Sequence, residues 1–258
     1  MKMKSFATTI AIATFCASCF LTSCSKFSNF LIHAVTDQED LEGVAPADTV
    51  TIEKQMTVDG SFSHIQLLGS YSVELVQSDS VTNINFKGRK VYADNAILKV
   101  SGDTLYVNSK EDRFCRGAYV ISVPKLESIM TSGAVDLKSE NFQQTANLGI
   151  TSTGAADIDI KNSSFGNLNI TASGSADVKL KSVLMHNSNI STAGAGTVKM
   201  DRITADTIKA KLNGAGELEA SGNCKDFKCD LSGAGDINID KLNIANKNAK
   251  KVENAINK

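Results

Sequence analysis

The chain has 258 residues, 42% of them hydrophobic and 21% charged, with 18 Gly, 2 Pro and no Trp. This composition excludes collagen-like, coiled-coil and bulk-disordered chains and leaves length for one large β domain or two ordinary ones. A formal charge of −1 without a basic stripe argues against a nucleic-acid partner, and three His leave little material for a histidine metal site.

Residues 1–23 read as a signal peptide. Lys2 and Lys4 form a short positive start, and Phe6 to Phe20 is an uncharged, mostly apolar run. That run is too short, and too rich in Ala, Thr, Ser and Cys, for a membrane span of ~20 residues. It ends in Leu21-Thr22-Ser23-Cys24, which resembles the bacterial lipobox, where small residues precede a cysteine that is diacylated and becomes the new N-terminus. The resemblance implies lipidation at Cys24; an ordinary secretory peptide ending near a cysteine is the alternative. At ~0.8 kcal/mol per buried methylene, two or three acyl chains would make the membrane a lasting partner. Residues 24–50, polar and without a strong period, read as a tether. The expected location is the bacterial cell envelope at the outer membrane, with the surface or periplasmic face open.

Residues 51–125 read as β-rich. Ile65-Gln-Leu67, Tyr71-Ser-Val73-Glu-Leu75, Ile84-Asn-Phe86 and Tyr119-Val-Ile121-Ser-Val123 alternate with the period of a strand. Leu98 to Val107 reads as a β-hairpin about Gly102-Asp103. With no 20-residue glycine period of its own, this segment is expected to cap the repeats that follow and to be continuous with them.

Residues 126–240 are a repeat. Six segments share one pattern, from Ser132-Gly133-Ala134-Val135-Asp136-Leu137 to Ser232-Gly233-Ala234-Gly235-Asp236-Ile237. Their first glycines stand at 133, 154, 174, 194, 214 and 233, spaced 21, 20, 20, 20 and 19. Four residues before each glycine come Ile129, Ile150, Ile170, Ile190, Ala210 and Cys229; four after come Leu137, Ile158, Val178, Val198, Leu218 and Ile237. Short strands with period 2 and a ~20-residue repeat cannot each bury a face alone, but stacking them in parallel at ~4.8 Å does so with like above like. The expected fold is therefore all-β, a parallel β-helix or solenoid. Asn147, Asn167 and Asn187 share a phase and fit an amide ladder, and the glycines mark a corner. Residues 241–258, a basic tail with five Lys, space Ile244, Val252 and Ile256 roughly helically; a short capping helix or a frayed tail is expected there.

With Gly233-Ala-Gly235-Asp236-Ile237-Asn238-Ile239 as the closest match, residues 55–240 resemble the bacterial autotransporter adhesin head (GIN-domain) family. The earlier repeats carry Val135, Ala156 and Ala176 in place of the second glycine. The resemblance implies a right-handed β-helix without a recognised catalytic set, and an adhesion-like role.

Candidate chemistry is sparse. An acidic column, Asp136, Asp157, Asp177, Glu217 and Asp236, is interrupted by Thr197. Carboxylates stacked at ~4.8 Å repel unless solvated or bridged, so the column is a Ca²⁺ candidate, against the simpler reading of solvated strand ends. Cys224 and Cys229 are candidates for a small-loop disulfide, although Cys229 occupies an otherwise Ile-filled inward column; Cys115 has no evident partner. His33, His64 and His186 fall at unrelated phases. A polysaccharide lyase-like enzyme is the alternative function, since β-helices host such chemistry, but tight repeats leave no long insertion to wall a cleft. No catalytic residue and no cofactor is expected. The leading reading is a non-catalytic binding or adhesion-like module whose ligand is a glycan or a protein; a purely structural envelope protein is the third.

Overall fold

The computed structural model describes residues 47, 50–79, 82–111, 116–246 and 250–255, the last of these as backbone alone. It is an all-β, open sheet. In chain order the elements are β1 (Thr51–Met56), β2 (His64–Gln77), β3 (Asn83–Arg89), the short helix α1 (Lys90–Asn95), β4 (Ala96–Ser101) and β5 (Thr104–Ser109). They continue with β6 (Arg116–Val123), β7 (Ser128–Glu140), β8 (Leu148–Lys161), β9 (Ser164–Lys181), β10 (Leu184–Ile244) and β11 (Lys250–Ala255). The signal and most of the tether, with Cys24 and Cys115, lie outside the described residues.

Repeats stack on one another in parallel and in register. Gly133 pairs with Gly154, Gly154 with Gly174, and Gly174 with Gly194. The Ile129, Ile150, Ile170 and Ile190 column is buried, as is the Leu137, Ile158, Val178 and Val198 column, and so are Ala210, Cys229 and Leu218 further on. The element β10 runs for 61 residues, which as one straight strand would span roughly 200 Å. It instead returns on itself about every 20 residues: Asn243 bonds to Asn223 at 3.2 Å and Ser221 to Asp201 at 3.0 Å.

The glycine column explains why no other residue serves. Gly154, Gly174 and Gly194 hold φ of 120°, 113° and 124°. A Cβ on any of them would run into the carbonyl oxygen of the glycine one repeat earlier. A second corner recurs at Asn141, Asn162, Ser182 and Arg202, all with φ between 48° and 60°, and continues at Gly222 with φ 114°. Its residue types vary, so composition did not mark it; Asn is among the side chains that tolerate the left-handed region best.

Two expectations need correction. The glycine register begins one repeat earlier than residue 126, because β2 pairs in parallel with β7 and sets Gly69 against Gly133. A separation of 64 positions hides this spacing. The residues between Gly69 and Gly133 include β3 to β6, on the far side of β2, where β5 and β6 continue the parallel stack, β3 and β1 add antiparallel strands, and β4 closes on β5. The predicted hairpin is present, with Ser101 opposite Thr104 around Gly102-Asp103. At the other end, Lys250–Ala255 is a strand and not a capping helix, paired in parallel with Phe227–Ser232. An unpaired sheet edge offers a row of backbone donors and acceptors, which outweighs a faint helical spacing in an Asn-rich segment.

Candidate functional site

Alternation of side chains places one set of outward positions on a common face. In three successive repeats these are Asn147, Gly149, Thr151 and Thr153; Asn167, Asn169, Thr171 and Ser173; and Asn187, Asn189, Ser191 and Ala193. None carries a charge. The expected ladder is formed: Asn167 Nδ2 donates to Asn147 Oδ1 at 2.7 Å, and Asn187 Nδ2 to Asn167 Oδ1 at 2.7 Å. A parallel ladder, Asn189 Nδ2 to Asn169 Oδ1 at 2.8 Å, was not anticipated, although Asn-x-Asn at 167–169 and 187–189 was its signal. Each bond uses one of an amide's two N–H donors and one lone pair of its carbonyl, so every rung keeps hydrogen-bonding capacity for solvent or ligand.

Between the two Asn columns lies a trough of about 320 Å³, lined by Asn167, Asn169, Asn187, Asn189, Thr207 and Lys209. It runs along the stack over three repeats. A longer groove of about 650 Å³ follows another edge, with Phe165, Met185, Ala205 and Cys224 in its lining. On that groove, Asp206 accepts from His186 at 3.2 Å and pairs with Lys225 at 2.6 Å. The hydrogen bonds from Lys225 and then His186 hold the Asp206 carboxyl below its ordinary range. Asp206 is the single carboxylate among the residues lining either concavity, so neither presents the two facing carboxyls of a glycoside-cleaving site.

The acidic column stands elsewhere, with Asp136, Asp157 and Asp177 in direct register. Its repulsion is met by the protein's own donors. Lys138 bonds to Asp136 at 2.8 Å, Lys179 reaches both oxygens of Asp157 at 3.1 and 3.2 Å, and the Thr197 backbone N–H donates to Asp177 at 3.0 Å. Burial pushes the Asp157 carboxyl up, with Lys179 opposing. Glu217 and Asp236 are exposed. No group of three or more metal-ligating side chains occurs among the described residues.

The candidate disulfide is not formed. Cys224 and Cys229 are both free and buried, and burial pushes each thiol up to about 11. Cys229 fills the inward Ile column while Cys224 belongs to the groove lining. His64 bonds to Ser128 and His186 to Asp206, so the two described histidines serve separate networks. No helix among the described residues is long and apolar enough to cross a membrane.

A family model described as "Putative auto-transporter adhesin, head GIN domain" matches residues 61–186 and 168–252. No curated protein matches the chain. Among solved structures, a putative adhesin from Bacteroides fragilis NCTC 9343 is similar with a TM-score of 0.63 at 20% identity, over 81% of this chain and 98% of that one. A putative adhesin from Parabacteroides distasonis ATCC 8503 gives 0.60 at 15%, over 73% and 81%. A putative lipid binding protein from the same strain gives 0.54 at 14%, over 80% and 95%. At these identities the likeness is one of fold.

Proposed function

Because this chain belongs to the auto-transporter adhesin head, GIN-domain family, we propose that it is a non-catalytic binding module of the bacterial cell envelope. In this reading the stack is a right-handed parallel β-helix, tethered to the outer membrane by acyl chains on Cys24, and the uncharged Asn/Thr/Ser face meets the ligand. Parallel register at a 20-residue offset is what stacked coils require. The observation that carries the functional part is the Asn ladder through 147, 167 and 187 with the parallel bond from Asn189 to Asn169, which repeats one pattern of donors and acceptors over neighbouring coils ~4.8 Å apart. A rigid face of that kind suits an extended, polyhydroxylated polymer, because each added coil multiplies contacts without new ordering cost.

The test uses the full chain purified in detergent and passed over immobilised, fully methyl-esterified polygalacturonate, a neutral polysaccharide. Wild type and a Lys138→Gln/Lys199→Gln control, in the column where Lys138, Asp159, Lys179 and Lys199 are successive sheet partners, are expected to be retarded, and Asn167→Ala/Asn187→Ala is expected to elute early. Equal retention of all three proteins contradicts the assignment of the face. In cells, labelled palmitate is expected in wild type and not in Cys24→Ala; label in both contradicts the anchor.

A further inference from the structure

The uncharged face ends abruptly. In the next coil the outward columns that carry Asn189 and Ser191 carry Lys209 and Lys211, two residues apart and therefore on the same side of the sheet. Lys209 lines the trough itself. Neither lysine has an ion-pair partner within 4 Å among the described residues, whereas Lys228, further along the chain, pairs with Asp230 at 3.3 Å. Two ammonium groups without an ion-pair partner thus stand on the coil that ends the trough, Lys209 in its lining and Lys211 beside it, where the remaining lining is amide and hydroxyl.

We propose that the ligand in the trough is an anionic polysaccharide, lying along the stack with its hydroxyls on the Asn rungs and the acid group that reaches the last coil held by Lys209 and Lys211. This rests on the binding role proposed above and names the ligand's chemistry. The geometry fits a polymer, because the trough runs along the stack over three coils and the Asn amides recur along it at the coil spacing of about 4.8 Å. Asn amides donate and accept side by side, which matches vicinal hydroxyls. Lysine is a flexible point charge that suits carboxylates whose exact orientation varies along a chain. The described residues of this face carry no aromatic side chain on which a sugar ring could stack, which places the recognition on polar groups and makes the charge decisive between one polysaccharide and another.

The experiment compares polygalacturonate with its fully methyl-esterified form, the same backbone with its charges removed, by calorimetry on the full chain in detergent at low and high salt. The acid form is expected to bind about tenfold more tightly at low salt, with the advantage shrinking as salt screens it. In Lys209→Gln/Lys211→Gln the ratio of the two affinities is expected to fall to about one while the melting temperature stays as in wild type. A Lys209→Arg/Lys211→Arg variant is expected to keep the advantage. Equal affinity of wild type for the two forms overturns this proposal and leaves the neutral-face binding role standing, and so does an undiminished advantage in the Gln variant. Failure of both forms to bind overturns the role itself.

Discussion

Asn187 donates its side-chain amide to Asn167 across 20 residues of sequence at 2.7 Å, and Asn167 makes the same bond to Asn147. The bond exists because the backbone beneath it is in strict register: Asn187 is the sheet partner of Asn167, as Gly194 is of Gly174. One periodicity therefore sets the core, the corner and the outward face together. Inward, it stacks Ile on Ile; at the corner, it brings glycine against glycine; outward, it repeats one polar group along a line.

The corner is the least forgiving position. Gly174→Ala places a methyl group against the carbonyl of Gly154 at a φ of 113°, and is expected to lower stability by about 2–4 kcal/mol. Gly102→Ala, in the hairpin turn with open space around it, is expected to cost only about 1 kcal/mol. Urea denaturation of the two variants checks this, and equal losses would remove the special status of the column.

Asp157 makes an opposite demand on pH from most carboxylates. Its folded-state pKa is raised, chiefly by burial, above the ordinary 3.8. The group therefore favours the folded state most fully below pH 3.8, and that contribution is lost as pH rises through the folded value. Asp157→Asn lacks the effect, so melting temperatures of wild type should fall relative to the variant as pH rises from about 3 toward neutrality. Since Lys138 and Lys179 pair with Asp136 and Asp157 and the Thr197 N–H meets Asp177, adding millimolar Ca²⁺ is expected to leave the melting temperature of wild type unchanged.

The two buried thiols give a third outcome. With Cys224 and Cys229 unbridged and their pKa values pushed to about 11, a thiol reagent at neutral pH is expected to leave both untouched in the folded protein. Both should label in denaturant without prior reduction. Labelling that requires a reductant would show a disulfide.

Much of this architecture was legible beforehand, because the residues that fix it are chemically constrained. The repeat glycines tolerate no substitute at their φ, and the inward columns take apolar residues, mostly Ile, Leu and Val, so both kept their period. The Asn147, Asn167 and Asn187 ladder was legible for the same reason. Gly69 was not, since β3 to β6 separate it from Gly133 and a spacing of 64 residues carries no repeat signal. The corner at Asn141, Asn162, Ser182 and Arg202 was not, since several residue types accept a left-handed φ at modest cost. The strand Lys250–Ala255 was not, because what makes it a strand is the open edge of Phe227–Ser232 and not its own composition. The trough emerges only when Asn169, Asn189 and Lys209 are seen in one column.

The account stands on consecutive repeats being adjacent layers of one stack, and a cysteine-pair experiment tests that most directly. Asn169 and Asn189 are sheet partners, which puts their Cα atoms ~4.8 Å apart, within the range a disulfide spans. Asn169→Cys/Asn189→Cys is therefore expected to crosslink under mild oxidation, identified by mass spectrometry of proteolytic fragments. Asn169→Cys/Lys209→Cys, two layers apart at roughly 9.6 Å, is expected not to. Absence of the first crosslink, or equal formation of the second, would contradict the stack.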